Sequence, residues 1–383
     1  MRIEVDDGGP PTQEDSPLVA VERELIAKPE DYAAWQVYAD MLASAGDPRG
    51  ELITIGVALA RGEGTPDEAQ LRAREDELLQ ANASAWFGEL ASDDDWRECF
   101  GWTLQTGFWG RIRLWVDYDH SGTDLGKVLA YALAHPSAKF VRQIDLGMPS
   151  GDGQADYSAC VRALVRHGPL PSLRRLTIGD FEFPDETEIS WVHVGDVGPL
   201  WPALTGIESL HLRGGGIGLG TPKSATLRSL ELWTGGLPAQ AGASLGRAEL
   251  PALEHLVVWF GTTYYGGSCD GGHVRAILDN PSLTRLRHLA LANADFGDEV
   301  ARAVAGTRLP ASLRTLDLSM GTMTDAGAEL LLAGADALRG LDRVDLSRNC
   351  LSEDMCVRLR AALRNVDVDE QKSEDERYVS VGE

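Results

Sequence analysis

Three stretches of this chain carry residue types at spacings that chemistry uses. Gly242-Ala-Ser244-Leu-Gly246 fits GxSxG, in which a serine on a sharp strand-to-helix turn becomes a nucleophile once His and Asp are brought near. Here Gly235-Gly236-Leu237-Pro238 precedes it, and the stretch reads as small residues in a helix. Gly214-Gly-Gly-Ile-Gly-Leu-Gly220-Thr-Pro-Lys223-Ser224 has the glycines of a phosphate cradle. That cradle needs lysine directly after glycine where a helix begins, and Thr221-Pro222 interrupts it. Asp117-Tyr-Asp119-His-Ser121-Gly122 opens like a calcium loop, but Val128 stands where a bidentate glutamate is required, and Asp124 where an apolar residue belongs. It reads as an acidic surface loop.

The remaining reactive side chains are scattered. His211, His255 and His288 have no metal-binding spacing. Five cysteines, Cys99, Cys160, Cys269, Cys350 and Cys356, are odd in number and form no CxxC, so neither a disulfide framework nor a zinc site is expected. No catalytic, cofactor-binding or metal-binding residue emerges, and an enzyme is not expected. The formal charge of −24 argues against nucleic acid, whose binders need a basic face. No apolar run approaches the roughly 18 residues of a membrane span, and Met1 to Pro10 lacks the features of a signal peptide. The expected setting is a reducing cytoplasm.

What positions these residues is a repeat. Leu341-Asp-Arg-Val344-Asp-Leu346-Ser-Arg-Asn349-Cys-Leu351 has the form LxxLxLxxNxL. The LxxLxL spacing recurs, with apolar substitutions, from Trp109, Val141, Leu173, Ile207, Leu227, Leu253, Leu286 and Leu313. One copy arises by chance in any apolar sequence; nine in near-register do not. The two closing apolar residues sit two apart, on one face of a short strand. Stacked copies then bury a continuous core that no single copy could form. Thr324-Asp-Ala-Gly-Ala-Glu-Leu-Leu-Leu332 and Asp298-Glu-Val-Ala-Arg-Ala-Val304 read as returning helices. The glycine-rich copy from Ile207, only 20 residues before the next, predicts a plain loop instead. Asn349 should satisfy backbone groups at the turn out of the strand, and most earlier copies lack that asparagine.

Over about two-thirds of its length the chain resembles the leucine-rich-repeat family, and the T-D-x-G-A helix start is similar to its ribonuclease-inhibitor subtype. The implied fold is α/β: a curved leucine-rich-repeat solenoid with a parallel sheet on the concave side, a mostly helical convex side and a small all-helical N-terminal cap. About nine repeats would occupy residues 98–365. Residues 16–97 would form the cap, with helices opened by Ser16-Pro17, Asp31, Asp47-Pro48 and the capping box Thr65-Pro-Asp-Glu68, and a fifth around Trp86, Phe87 and Leu90. Tyr38-Ala39-Asp40-Met-Leu42 and Gly46-Asp47-Pro48-Arg49-Gly50-Glu51-Leu52-Ile53 resemble the repeat-companion domain found before such repeats in myxobacteria and planctomycetes. The resemblance implies a bacterial source and no chemistry. Asp40, Asp47 and Arg49 are expected to cap helices and form an internal salt bridge. Residues 1–15 and 366–383 are acidic and apolar-poor, and flexible tails are expected there.

In this register, alternate strand residues form outward columns. One runs Arg111, Gln143, Arg175, Ser209, Ser229, His255, His288, Thr315, Arg343; the next contains Arg113, His211 and Glu231; the third contains Arg213, Trp233 and Trp259. Trp and Arg are the residues most enriched at binding hot spots. The candidate protein-binding residues are therefore His211, Arg213, Glu231, Trp233, His255, Trp259, Phe260, Tyr264, Tyr265 and His288. The competing arrangement has the tryptophans folded onto one another, or turned inward by a bulged repeat. The expected function is a non-catalytic recognition scaffold, monomeric when free, binding a partner protein on the concave face. The alternative is a regulated substrate or adaptor whose C-terminal tail is captured or cut by a docked enzyme such as a protease. A bacterial repeat ubiquitin ligase would carry a large helical domain after the repeats, and none is visible in the sequence.

Overall fold

Alternation within LxxLxL dictates the strands. In the computed structural model, which describes residues 16–62, 68–150 and 156–382, they are β1 (Phe100–Gln105), β2 (Phe108–Leu114), β3 (Gln143–Leu146), β4 (Arg175–Ile178), β5 (Ser209–Arg213), β6 (Ser229–Trp233), β7 (His255–Gly261), β8 (His288–Ala294), β9 (Thr315–Asp317), β10 (Arg343–Asp345) and β11 (Val366–Asp367). They form one sheet in chain order, parallel throughout except for the antiparallel pair β1–β2. The register never slips along the core row. Ile112, Ile144, Leu176, Leu210, Leu230, Leu256, Leu289, Leu316, Val344 and Val366 follow one another across the sheet. A one-residue slip would turn every leucine to water, so burial enforces this alignment. The stacking is consistent with a leucine-rich-repeat-like solenoid. One continuous core runs from Leu52 to Val368, and a second cluster around Leu25, Trp35, Tyr38, Phe108 and Phe140 joins the N-terminal helices to the first strands.

Helices α1 (Pro17–Ala27), α2 (Tyr32–Ser44), α3 (Arg49–Arg61), α4 (Glu68–Ala81), α5 (Ala83–Phe87), α6 (Glu89–Ser92) and α7 (Asp94–Glu98) precede the sheet. Helices α8 (Leu125–Ala134), α9 (Ser158–His167), α10 (Ala239–Gly246), α11 (Gly271–Leu278), α12 (Gly297–Ala305), α13 (Asp325–Ala333), α14 (Ala335–Leu338) and α15 (Glu353–Ala362) lie in the segments that return between strands. Among the described residues the β5–β6 connection has no helix, as its shortness predicts, and β4–β5 carries only a 3-10 turn at Gly198–Leu200. Thr324 caps α13 by accepting from the amide of Ala326. Asp298, however, does not cap its own helix. It accepts from the amide (2.7 Å) and hydroxyl (2.9 Å) of Thr324, the cap of the next repeat. Asp325 holds Ser352, the cap of α15, in the same way.

Helices α1, α2 and α3 begin where the sequence signals place them, although Ser16 makes no side-chain capping bond. The single fifth helix expected around Trp86 is divided into α5 and α6, and α7 had no signal. Asp31 accepts from the amides of Ala33 and Ala34, and Gly46 follows α2 with a φ of +78° that only glycine adopts without strain. The capping-box residues Thr65 to Asp67 and the acidic segment 1–15 lie outside the described residues. Arg49 corrects an expectation. Among the described residues it makes no salt bridge; it is buried, donates to the Gly107 carbonyl (3.2 Å) and the Ser137 hydroxyl (2.9 Å), and lies over the rings of Phe108 and Trp86. It thereby joins α3 to the first strands. Asp40 accepts from Gln36, and Asp47 from the amide of Arg49. Strand β1, with no counterpart in the repeat pattern, went unread in the sequence.

The C-terminal segment also departs from expectation. Leu363-Arg-Asn-Val366-Asp-Val368-Asp-Glu-Gln371 is a further copy of the repeat, with valines for leucines and glutamine in the asparagine slot. Asn349 donates to the carbonyls of Leu318 (2.9 Å) and Leu346 (3.0 Å) and accepts from Met323 (3.0 Å). Gln371 repeats this role, donating to Leu346 (2.9 Å) and accepting from Leu351 (3.0 Å). The chain then runs back along the ends of the strands. Ser380 donates to the Met320 carbonyl (2.9 Å), Val381 and Asn293 exchange two hydrogen bonds, and Val379 and Val381 are buried. Residues 366–382 are docked rather than standing free.

Candidate protein-recognition face

The face of the sheet opposite the core is built from the alternate strand positions. Register places Arg213 beside Trp233, Ser229 beside His255, and His255 beside His288. Neighbouring parallel strands lie about 4.8 Å apart, close to ring-stacking distance, so planar side chains at one level stack. Trp233 and Trp259 do so with centroids 4.8 Å apart and planes 11° apart. The Arg213 guanidinium lies 4.6 Å from the Trp233 ring and 5.5 Å from that of Phe181, and donates to the Phe181 carbonyl. His211 packs against Trp233 at 4.7 Å. The tryptophans fold onto one another and still remain partly exposed on the sheet face.

A second row lies nearer the starts of the strands. Glu231 sits between His211 (3.7 Å) and His255 (3.6 Å), His255 stacks on His288 (4.3 Å, 12°), and the His288 ring meets the Thr315 hydroxyl at 2.6 Å. Burial, reinforced by the Arg213 charge, pushes His211 down to about 4. Burial and the neighbouring His255 do the same to His288, down to about 4. Both rings are neutral at pH 7 and serve as stacking surfaces rather than cations. Among the described residues, four buried side-chain polar atoms lack a protein hydrogen-bond partner. Three of them, His211 Nε2, Arg213 Nε and Trp233 Nε1, are in this cluster. Such atoms are rare in folded proteins and each costs about 1–3 kcal/mol.

Not every expected site residue joins the cluster. Phe260 follows Trp259 in the strand, and the period of two turns it to the opposite face. It is 1% exposed and packs edge-on against Phe296 at 5.3 Å. Tyr264 and Tyr265 lie beyond the strand in a 3-10 turn; Tyr264 is 84% exposed, while Tyr265 packs beside Gly382. Sequence reasoning also passed over Arg142, Arg174 and Arg228, each one position before the columns it followed. They edge a groove of about 890 Å³ across the face of β2 to β6.

The stretches that looked chemical serve other ends. Ser244 is buried in α10 and donates to the Gly220 carbonyl at 2.6 Å. Lys223 pairs with Glu249 at 2.6 Å. Asp117 closes its own turn, accepting from the amide of His120 at 3.0 Å. No group of three or more His, Cys, Asp or Glu side chains among the described residues is arranged to hold a metal. No disulfide joins the five cysteines, and burial pushes Cys160 and Cys269 up to about 12, which keeps both as thiols. No described helix is long and apolar enough to cross a membrane.

No protein-family model and no curated protein sequence matches the chain. Among solved structures it is similar to a protein from Bacteroides fragilis, with a TM-score of 0.62 and 23% identity over 82% of this chain and 87% of that one. An internalin from Listeria monocytogenes aligns with a TM-score of 0.30 and 14% identity over 66% of this chain and 72% of that one. The first likeness, at its level of identity, is one of fold alone.

Proposed function

We propose that this chain is a non-catalytic recognition scaffold that binds a partner protein on the open face of its sheet, centred on Trp233 and Trp259. The observation that carries this reading is the Phe181–Arg213–Trp233–Trp259 stack. Two large, partly exposed tryptophan rings and a guanidinium, backed by the buried Phe181, are concentrated at mid-face, with three polar atoms left unmatched in the cluster. Rigid aromatic and arginine side chains give much contact area for little ordering entropy, which is why they dominate interface energetics. In this reading the solenoid is curved, the strands line its concave side, the returning helices are of the ribonuclease-inhibitor kind, and the N-terminal helices act as a companion cap. Its setting is a reducing cytoplasm and its free form a monomer. Capture of the C-terminal tail is the less favoured reading, since Val379 and Val381 would first have to leave their buried positions.

The test compares affinity capture by the wild type and by a Trp233→Ala/Trp259→Ala variant, with circular dichroism confirming that both are folded. A protein captured stoichiometrically by the wild type and weakened at least tenfold by the variant supports the scaffold. Equal capture by both proteins removes the face from the mechanism.

A further inference from the structure

The groove of about 890 Å³ over β2 to β6 is lined by five arginines, Arg111, Arg142, Arg174, Arg175 and Arg228, against two carboxylates, Glu208 and Glu231. On a chain of formal charge −24 this is a local excess of cationic side chains in the lining, partly offset by Asp145, Glu30 and Glu254, which pair with Arg111, Arg142 and Arg228 from just outside it. We infer that the groove takes a short acidic peptide segment of the scaffold's partner, with Arg175 and the unused edges of Arg111, Arg142 and Arg228 holding its carboxylates. The inference rests on the recognition reading and names the chemistry that this reading leaves open.

The arginines divide by what already occupies them. Arg174 is spent on structure, donating to the carbonyls of Ile26, Pro171 and Gly206. Arg111 commits its Nε to Asp145 (2.6 Å), Arg142 reaches Glu30 at 3.4 Å, and Arg228 uses one terminal nitrogen on Glu254 (2.9 Å). A guanidinium has five N–H donors, so each of these keeps a free edge. Arg175 is exposed on β4 and has no side-chain partner among the described residues. Arginine's planar fork suits paired carboxylate oxygens, and no lysine lines the groove.

Length and surroundings select a peptide over a longer polyanion. Four inter-strand gaps of about 4.8 Å give about 19 Å, room for roughly six residues of extended chain. Beyond one border stand Asp180, Glu182, Asp185 and Glu186, and farther along the face Asp317, Asp345 and Asp367. A nucleic acid strand leaving the groove would meet those carboxylates, whereas a short segment need not.

The experiment is fluorescence anisotropy with fluorescein-labelled octaglutamate, with octaglutamine and an eight-residue thymidine oligonucleotide as comparisons. The expected result is saturable binding of octaglutamate to the wild type, weakened by added salt, with octaglutamine not bound. Arg175→Gln should weaken it several-fold, and Arg175→Glu at least tenfold. Arg175 touches nothing that holds the fold, so both variants should keep the wild-type circular dichroism spectrum. Trp233→Ala/Trp259→Ala should retain octaglutamate binding within twofold. Absence of saturable binding at low salt, unchanged affinity in Arg175→Glu, or equal affinity for the oligonucleotide would each overturn the inference. If octaglutamate fails while tryptophan-dependent capture of a protein persists, the recognition scaffold stands and only the acidic-peptide assignment falls.

Discussion

Burying the Arg49 guanidinium takes a charge out of water, and burial accordingly lowers its proton affinity. The Gly107 carbonyl, the Ser137 hydroxyl and two ring faces replace the lost hydration. Arg49→Ala removes all four at once and leaves the Gly107 carbonyl with one partner fewer. We expect a loss of about 2–4 kcal/mol in urea unfolding, with the fluorescence change led by Trp86 and Trp109 because the damage is local to that end. An unchanged midpoint would refute the joining role. His211 supplies a pH prediction. Its folded-state value of about 4 lies below the unfolded 6.5, so between these values the unfolded chain binds the extra proton. Stability from this group is full above pH 6.5 and falls as pH drops towards 4. With a side chain only 19% exposed, its contribution is on the order of 2–3 kcal/mol. His211→Gln should reduce the slope of the stability curve between pH 6.5 and 4, leaving the part that His288 contributes, and a variant with the full wild-type slope would show that the ring is not held neutral.

At the scale of the element, the repeat is held by more than leucines. Asn293, Met320, Arg348 and Glu370 occupy the same position in four successive repeats, and all adopt left-handed backbone at φ of 53–66°. Their turns let one amide reach the next repeat, Asn293 to Ser319 (2.9 Å), Met320 to Ser347 (3.0 Å) and Arg348 to Asp369 (3.0 Å). Asn349 and Gln371 bridge the same turns through their side chains. Asn349→Ala leaves several buried groups unpaired and should cost about 2–4 kcal/mol, while Gln371→Ala, in the half-exposed last copy, should cost about 1–2 kcal/mol. Urea titration of the two variants checks both the size and the order. The leucine positions were legible in the sequence because burial on one strand face restricts residue type so strongly. The last copy was not, because valine and glutamine replace its signature and its carboxylates look like those of a solvated tail. Strand β1 was hidden because an antiparallel hairpin makes no repeat. Phe260 was misplaced by its neighbour's chemistry, although the same alternation that exposes Trp259 buries it. Arg111 and Arg175 stood in a column already followed, but Arg142, Arg174 and Arg228 lay one residue outside it, and the free edges of the groove depend on which carboxylates happen to pair.

At the scale of the whole molecule, each repeat is covered only by its neighbours, so the last one decides how far the order extends. Val366 and Asp367 supply the strand beside β10, Val368 closes the core, and the stretch to Gly382 then lies back across β9 and β8 to reach Gly235. Two truncations separate these contributions. A chain ending at Lys372 keeps β11 and Gln371 but loses Val379, Val381 and the Asn293 exchange; slowed hydrogen exchange should be lost around Asn293 and Met320 and kept in β10. A chain ending at Asn365 loses the final copy as well. It should exchange rapidly through β10 and α15 and be about 4–6 kcal/mol less stable, because three valines leave the core and Val344 and Leu346 face water. A solvated tail would make both truncations silent, with every protected amide of the wild type retained. Protection lost in β10 only when residues 366–372 go would place the end of the solenoid at Gln371, and would make the returning stretch a strap over its rim.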